Sequence, residues 1–195
     1  VILHCSGFMA EVFAKQPQAV RGATLPFTLR VIARSQTPVV LSSIKWGNGD
    51  TATNMILSVD TLHTFEHAIS IPVDEPFTQP YWLSRPHAEK DMFAIAHDTL
   101  LGQPETPNEL NVTLMLRIGG VDMAVKVPLS YKKLDPVKGD IVEQLRIVPD
   151  ASVSFNNALL VAKPDGSVQA EVRIHTFKEI KDAVLTVSGS KTTVA

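Results

Sequence analysis

The chain has 195 residues, of which 45% are hydrophobic and 19% charged, with a formal net charge of −2. This balance offers no cluster of Lys and Arg and so argues against a nucleic-acid partner. No stretch approaches the roughly 20 apolar residues of a spanning helix, so we expect no membrane span. Its one cysteine, Cys5, excludes an intramolecular disulfide, and we interpret it as a small buried residue near a strand start.

The chain begins at Val1 without an initiator Met or a basic leader, which predicts a mature or excised fragment. Alternation of apolar and polar residues then predicts a series of strands. They are Met9–Ala14, Leu25–Arg34, Val39–Trp46 and Thr64–Val73. Turns are predicted at Gln16-Pro17-Gln18 and at Gly47-Asn48-Gly49-Asp50.

From Asp74 to Glu109 the alternation fades and prolines accumulate, which predicts a long irregular excursion with one short strand, Asp91–His97. The clearest pattern follows it. Leu110–Ile118 and Val121–Tyr131 alternate strictly on either side of Gly119-Gly120, which predicts a β-hairpin with one buried face. Pro26 and Pro128 lie inside strand patterns and lack a ladder N–H, so we expect edge strands or bulges at both.

A strand over Val142–Val148 ends at Pro149-Asp150, where we place a domain boundary. Residues 1–148 then form an all-β, immunoglobulin-like β-sandwich, with a jelly roll as the alternative, because turn signals recur every 8–12 residues and helical patterns are nearly absent. Residues 149–195 form the start of a second β-sandwich-like unit, incomplete or packed on the first. Its predicted strands are Val153–Phe155, Ala158–Ala162, Val168–Thr176 and Ala183–Val187.

The histidines do not form a recognisable metal or catalytic motif. The string at His87 lacks the paired carboxylates of a zinc site and places Lys90 beside it. His63 and His67 would lie about 13 Å apart on an extended strand, so we interpret both as partly buried or surface residues. His97-Asp98 lacks the orienting residues of a catalytic triad.

Four segments carry a resemblance that spans nearly the whole chain in order. They are Cys5-Ser6-Gly7, Arg21-Gly22-Ala23-Thr24-Leu25 leading into Arg34-Ser35, Thr78-Gln79-Pro80-Tyr81-Trp82-Leu83, and Asp135-Pro136-Val137-Lys138-Gly139-Asp140. In this order they resemble the region that follows the catalytic domain in long bacterial PIG-L/LmbE-type deacetylases. The Gln-Pro-Tyr-Trp-Leu string is the most specific part. Asp140 departs from the pattern, since the family more often has Glu there.

The resemblance implies that the parent protein is a zinc-dependent N-acetylglucosaminyl deacetylase, with the zinc in an upstream catalytic domain that this chain lacks. We therefore expect neither catalytic residues nor a cofactor in this chain itself. Long members often look exported, which implies a periplasmic or extracellular location in a bacterium.

Tyr81 and Trp82 are the candidate ligand or interface residues. Adjacent aromatic rings on a loop could offer a sugar-binding platform, whereas our preferred interpretation is that Trp82 and Leu83 cap the core. Three functions follow. The first, which we favour, is a non-catalytic accessory region that supports or docks its own catalytic domain. The second is a carbohydrate-binding module, and the third is an adhesion or assembly sandwich without a small ligand, which predicts an apolar patch or an unprotected edge strand.

Overall fold

The computed structural model describes residues 1–85, 93, 95, 98–103, 106, 110–157 and 159–186. The chain divides into two compact units, Val1–Val148 and Pro149–Ala195. The fold of the described residues is all-β, with one turn of helix, α1 (Ile2–Cys5), and two single 3-10 turns, Tyr81–Leu83 and Asp98–Leu100.

The first unit contains ten of the described strands. They are β1 (Met9–Ala14), β2 (Gln18–Val20), β3 (Thr24–Ile32), β4 (Val39–Trp46), β5 (Gly49–Ile56), β6 (His63–Ser70), β7 (Asn111–Ile118), β8 (Val121–Asp135), β9 (Gly139–Gln144) and β10 (Arg146–Val148). In the described residues the main sheet has the order β5-β4-β7-β8-β1-β3-β6, with β9 also paired to β8. A separate short ribbon pairs β2 with β10 in parallel.

The predicted hairpin over β7 and β8 is confirmed. Ile118 lies opposite Val121, and the ladder runs without a shift to Asn111 opposite Pro128. Gly119 and Gly120 both have positive φ, 54° and 85°, the backbone of a type I′ turn, whose twist matches that of the two strands. The residues predicted to face inward on β7 are buried. They are Val112, Leu114, Leu116 and Ile118.

β8 gives the sheet its sandwich-like form because it pairs with both halves of the sheet, β5-β4-β7 on one side and β1-β3-β6 on the other. Its residues 121–128 pair with β7, whereas its later residues pair with β1 in parallel and with β9 in antiparallel fashion. The core lies between the two halves. Its largest fully buried side chains include Phe27, Leu29, Leu41, Ile44 and Leu129.

The prediction that the two prolines mark edge strands or bulges is wrong. β3 lies between β1 and β6, and β8 lies between β7 and β1. The β3–β6 ladder passes through Pro26, and the β7–β8 ladder ends with Pro128 as its last pair, in both cases without a register shift. In each case the missing N–H falls where a neighbouring ladder ends. β1 ends at Ala14, opposite Phe27 and beside Pro26, and the β1–β8 pairing starts at Leu129, beside Pro128.

β5 is a strand that the sequence reasoning missed, since the turn at Gly47-Asn48 leads directly into it. Its register against β4 shifts between Leu41 and Ser43, where β5 carries an extra residue. Asn54 has a φ of 44° in that stretch, the left-handed conformation typical of a bulge residue. The predicted turn at Gln16–Gln18 likewise runs into β2, which begins at Gln18.

Cys5 is exposed, so its interpretation as a buried residue is wrong. Residues 2–5 wind into one helical turn instead of starting a strand, and Ser6 takes the buried position. The Ser6 hydroxyl donates to the Leu3 carbonyl at 2.8 Å, which supplies the hydrogen bond that its burial requires.

The second unit contains two described strands, β11 (Ala151–Phe155) and β12 (Val172–Thr176), which pair in antiparallel fashion. The predicted strand over 158–162 is not formed at its described residues 159–162, and the strand over 183–187 is not formed at residues 183–186; Ala158 and Val187 lie outside the described residues. Apart from the partly buried Leu160, these described residues are exposed, and none of the described strands pairs with them to make a ladder.

Candidate functional site

The segment that carries the most specific string is fixed to the first unit by Thr78. The Thr78 backbone N–H donates to the Ile147 carbonyl at 3.0 Å, and the Thr78 hydroxyl oxygen accepts from the Ile147 N–H at 2.9 Å. β10 is thereby bonded on one edge to β2 and on the other to Thr78. A threonine side chain that completes a backbone ladder fixes both the position and the direction of the chain that leads to Tyr81.

Arg21 holds the same segment three residues earlier. Its guanidinium carbon lies 3.5 Å from the centroid of the Phe77 ring, and its Nε donates to the Glu75 carbonyl. A guanidinium stacked on an aromatic ring is attracted by the negative face of the ring. Arg21 directly follows β2. The segment is therefore bound to the short β2–β10 ribbon at two places, by Arg21 next to β2 and by Ile147 in β10.

Tyr81 and Trp82 lie in a single 3-10 turn, and both are half-buried. Their rings are perpendicular, with an interplanar angle of 86° and centroids 4.9 Å apart. The Ser84 hydroxyl donates to the Tyr81 carbonyl at 2.7 Å and closes the turn. Leu83 is 52% exposed, so the expectation that it caps the core is wrong: the tight turn directs it to solvent.

The first and second segments of the resemblance meet directly. Arg34 N–H donates to the Gly7 carbonyl at 3.3 Å, and Ser35 N–H donates to the Ser6 carbonyl at 3.2 Å. Gly7 has a φ of 59°, and a Cβ there would lie 3.1 Å from the Arg34 Cβ. The glycine therefore satisfies both a left-handed backbone and a close approach.

The fourth segment forms the turn between β8 and β9. Asp135 Oδ1 accepts hydrogen bonds from the backbone N–H groups of Val137 at 2.9 Å and Lys138 at 2.8 Å. These two donors, that of Lys138 first, lower the pKa of the Asp135 carboxyl from its ordinary value. Val137 is 92% exposed at the tip of this turn.

A second aromatic group links β4 to β6. The Trp46 indole Nε1 donates to the Ala68 carbonyl at 2.8 Å, and its ring stacks on the His67 imidazole with centroids 4.2 Å apart. Phe27 approaches both rings, with centroids 5.9 Å away in each case. The contact between Trp46 and His67 was not predicted from the sequence.

The described residues do not gather a set of metal ligands, since no three His, Cys, Asp or Glu side chains among them come together. His63 and His67 are each partly buried, as expected. The His63 Nε2 accepts from the Ser58 N–H at 3.3 Å. His87, His97 and the predicted strand Asp91–His97, apart from Phe93 and Ile95, lie outside the described residues. In the described part of the chain, no helix is long and apolar enough to cross a membrane.

The described fold is all-β, and Tyr81 and Trp82 lie on a segment that Thr78 and Arg21 hold to the first unit. No known protein family and no curated protein matches the sequence. Among solved structures, the chain is similar to the crystal structure of Spo0M, a sporulation control protein from Bacillus subtilis, at 9% identity and a TM-score of 0.31. The match covers 63% of this chain and 49% of that one, so the chain spans about half the length of that structure.

Proposed function

We propose that this chain is the non-catalytic β-sandwich accessory region of a PIG-L/LmbE-like deacetylase, and that it supports or docks the catalytic domain of the same polypeptide. The observation that supports the proposal most is that the first segment of the resemblance contacts the second, and the second contacts the residues just before the third. Cys5-Ser6-Gly7 bonds to Arg34-Ser35, and Arg21 grips the segment that leads to Thr78.

These contacts favour a supporting role because the residues involved hold the first unit together. The N–H groups of Arg34 and Ser35 join the N-terminal turn to the chain that follows β3, and Thr78 joins the segment before Tyr81 to β10. If this chain shares its fold with the family, the residues that resemble the family are expected to be those that make such contacts. The zinc and the deacetylase activity then belong to the upstream domain, and the periplasmic or extracellular location is part of the same proposal.

The test compares the whole polypeptide with a version that lacks this region and with this chain alone. Whole protein loaded with zinc should release acetate from N-acetylglucosamine oligomers, and this chain alone should release none. Removal of the region should lower the melting temperature of the catalytic domain, and the separate chain, added back, should restore it. A catalytic domain with unchanged stability and activity that does not bind this chain would contradict the proposal.

A second candidate is a carbohydrate-binding role for Tyr81 and Trp82. Both residues are partly exposed on a segment that Thr78 and Arg21 hold in place, which limits the ordering cost of binding. Because the rings are perpendicular, they offer a corner that suits one sugar ring and not a flat platform for two consecutive sugars.

This candidate is tested by titrating the chain with chitin-type and peptidoglycan-type oligosaccharides while the heat of binding is recorded by calorimetry. Saturable binding should be lost in Trp82→Ala and retained in Leu83→Ala, a matched change in the same turn. Circular dichroism checks that both variants fold. Equal binding by both variants, or none by the parent chain, would rule out the aromatic pair as a sugar site.

A further inference from the structure

Trp46, the last residue of β4, links the β4–β5 hairpin to β6, an outermost strand of the described main sheet. Lys15 N–H donates to the Pro26 carbonyl, so the polar groups of Pro26 face β1. Its partner Ala68 then belongs to a pair without ladder bonds, and the Ala68 carbonyl points outward from β6. Trp46 satisfies this carbonyl. We name the group of Trp46, His67 and Ala68 the Trp46 latch.

His67 is the unusual member of the latch. Its Nε2 is shielded from solvent and has no hydrogen-bond partner among the described residues, and the Trp46 and Phe27 rings lie against the imidazole. A neutral imidazole tolerates this position because its proton can reside on Nδ1, which leaves Nε2 as an unused acceptor. Protonation would place an N–H donor in an apolar environment without an acceptor, which is costly.

The charged side chains on the elements around His67 either form ion pairs with one another or lie several residues from His67 along the strands. On the hairpin, Lys45 lies 3.9 Å from Asp50, and on β6 itself Glu66 lies 3.0 Å from Lys15. On β3, Arg30 is opposite Thr64, three residues from His67.

Burial lowers the pKa of His67 from its ordinary 6.5. One effect opposes this shift, because a protonated imidazole stacked on Trp46 is attracted to the indole face. Burial is the cause of the lowered pKa, and the missing acceptor for a second N–H on Nε2 acts in the same direction.

We propose that the Trp46 latch is an acid-sensitive closure: when His67 takes up a proton, the β4–β5 hairpin loses its hold on β6 before the rest of the sheet unfolds. The folded state favours neutral His67, so the stabilisation is complete above pH 6.5 and is lost as the pH falls through the lower native pKa. This inference does not depend on the accessory role proposed above.

The test follows hydrogen exchange of the Trp46 indole N–H by NMR, in a Trp82→Phe background where Trp46 is the only tryptophan. Exchange is corrected for its intrinsic pH dependence. From pH 7.5 to 5.0, about 1 unit above to about 1.5 units below an ordinary His pKa of 6.5, protection should fall roughly tenfold. In His67→Phe, which keeps an aromatic ring but does not titrate, the fall should be less than about twofold. His63→Gln, a change on the same face of β6, should behave like the parent.

Two results would overturn the proposal. The first is an equal loss of protection in the parent and in His67→Phe, which would assign the effect to other groups. The second is greater protection at acidic pH in the parent, which would mean that attraction to the indole exceeds the cost of burial. If His67→Phe does not fold, the NMR titration of His67 in the parent decides: a pKa below 6.5 supports the proposal, and one above it refutes it.

Discussion

Replacing Gly49 with alanine should disrupt the latch by a direct clash. Gly49 opens β5 opposite Trp46, and a Cβ there would lie 2.4 Å from the indole Cε2 and 2.5 Å from Nε1. The indole must therefore move away from Ala68 and His67. Overpacking costs about 1–3 kcal/mol, and loss of the indole hydrogen bond costs about 1 kcal/mol more. We expect Gly49→Ala to lower the free energy of unfolding by roughly 2–4 kcal/mol.

The assay is urea unfolding at neutral pH followed by circular dichroism, for Gly49→Ala, Trp46→Leu and the double variant. If the clash with the indole is the cause, Gly49→Ala should cost less than about 1 kcal/mol once the indole is gone. Asn48→Ala, at the exposed neighbouring position of the hairpin tip, should stay within about 0.5 kcal/mol of the parent. The same cost for Gly49→Ala with and without the indole would refute the reasoning.

Three further predictions concern the segment, the core and the β8–β9 turn. Thr78→Val keeps the side-chain shape but leaves the Ile147 N–H without its acceptor, so urea unfolding should show a loss of about 1–2 kcal/mol; an unchanged midpoint would contradict the role of Thr78. Leu114→Ala removes a fully buried side chain opposite Ile44 and should cost about 2–5 kcal/mol by the same assay. The lowered pKa of Asp135 means that its contribution is present above the ordinary carboxyl pKa of 3.8 and is lost as the pH falls through the lower native value. Asp135→Asn should therefore lose less stability than the parent when urea midpoints at neutral pH and about pH 2.5 are compared; an equal loss would assign the acid sensitivity elsewhere.

The strands of the first unit could be predicted wherever apolar and polar residues alternate, because this pattern indicates a strand with one buried face. β1 and β4 have the predicted ends, and the β7–β8 hairpin follows from the two glycines and the apolar pattern around them. β5 was missed because it is an outermost strand of the described main sheet and has few apolar residues, so apolar and polar residues do not alternate clearly along it. The short strands of the second unit show the opposite error, since alternation predicts a strand but does not supply its partner.

The contacts around the candidate sites were harder to predict because they join distant parts of the chain. Nothing local in the sequence pairs Arg21 with Phe77 or Trp46 with His67. The two prolines illustrate the same difficulty. Whether Pro26 disrupts a ladder depends on where β1 ends, and that is a property of the fold and not of the residues around Pro26.

The parallel pairing of β1 with β8 has a consequence for synthesis. Val12 pairs with Leu129, about 120 residues later in the chain, and at about 5–20 residues per second the ribosome needs roughly 6–24 s to make that length. β3 and β6 emerge early and can assemble on one side of β1, but the other side has no strand to receive until β8 is made. During that interval the nascent protein carries an open strand edge of the kind that recruits other chains, so slow translation or a stalled ribosome before residue 129 should favour misassembly.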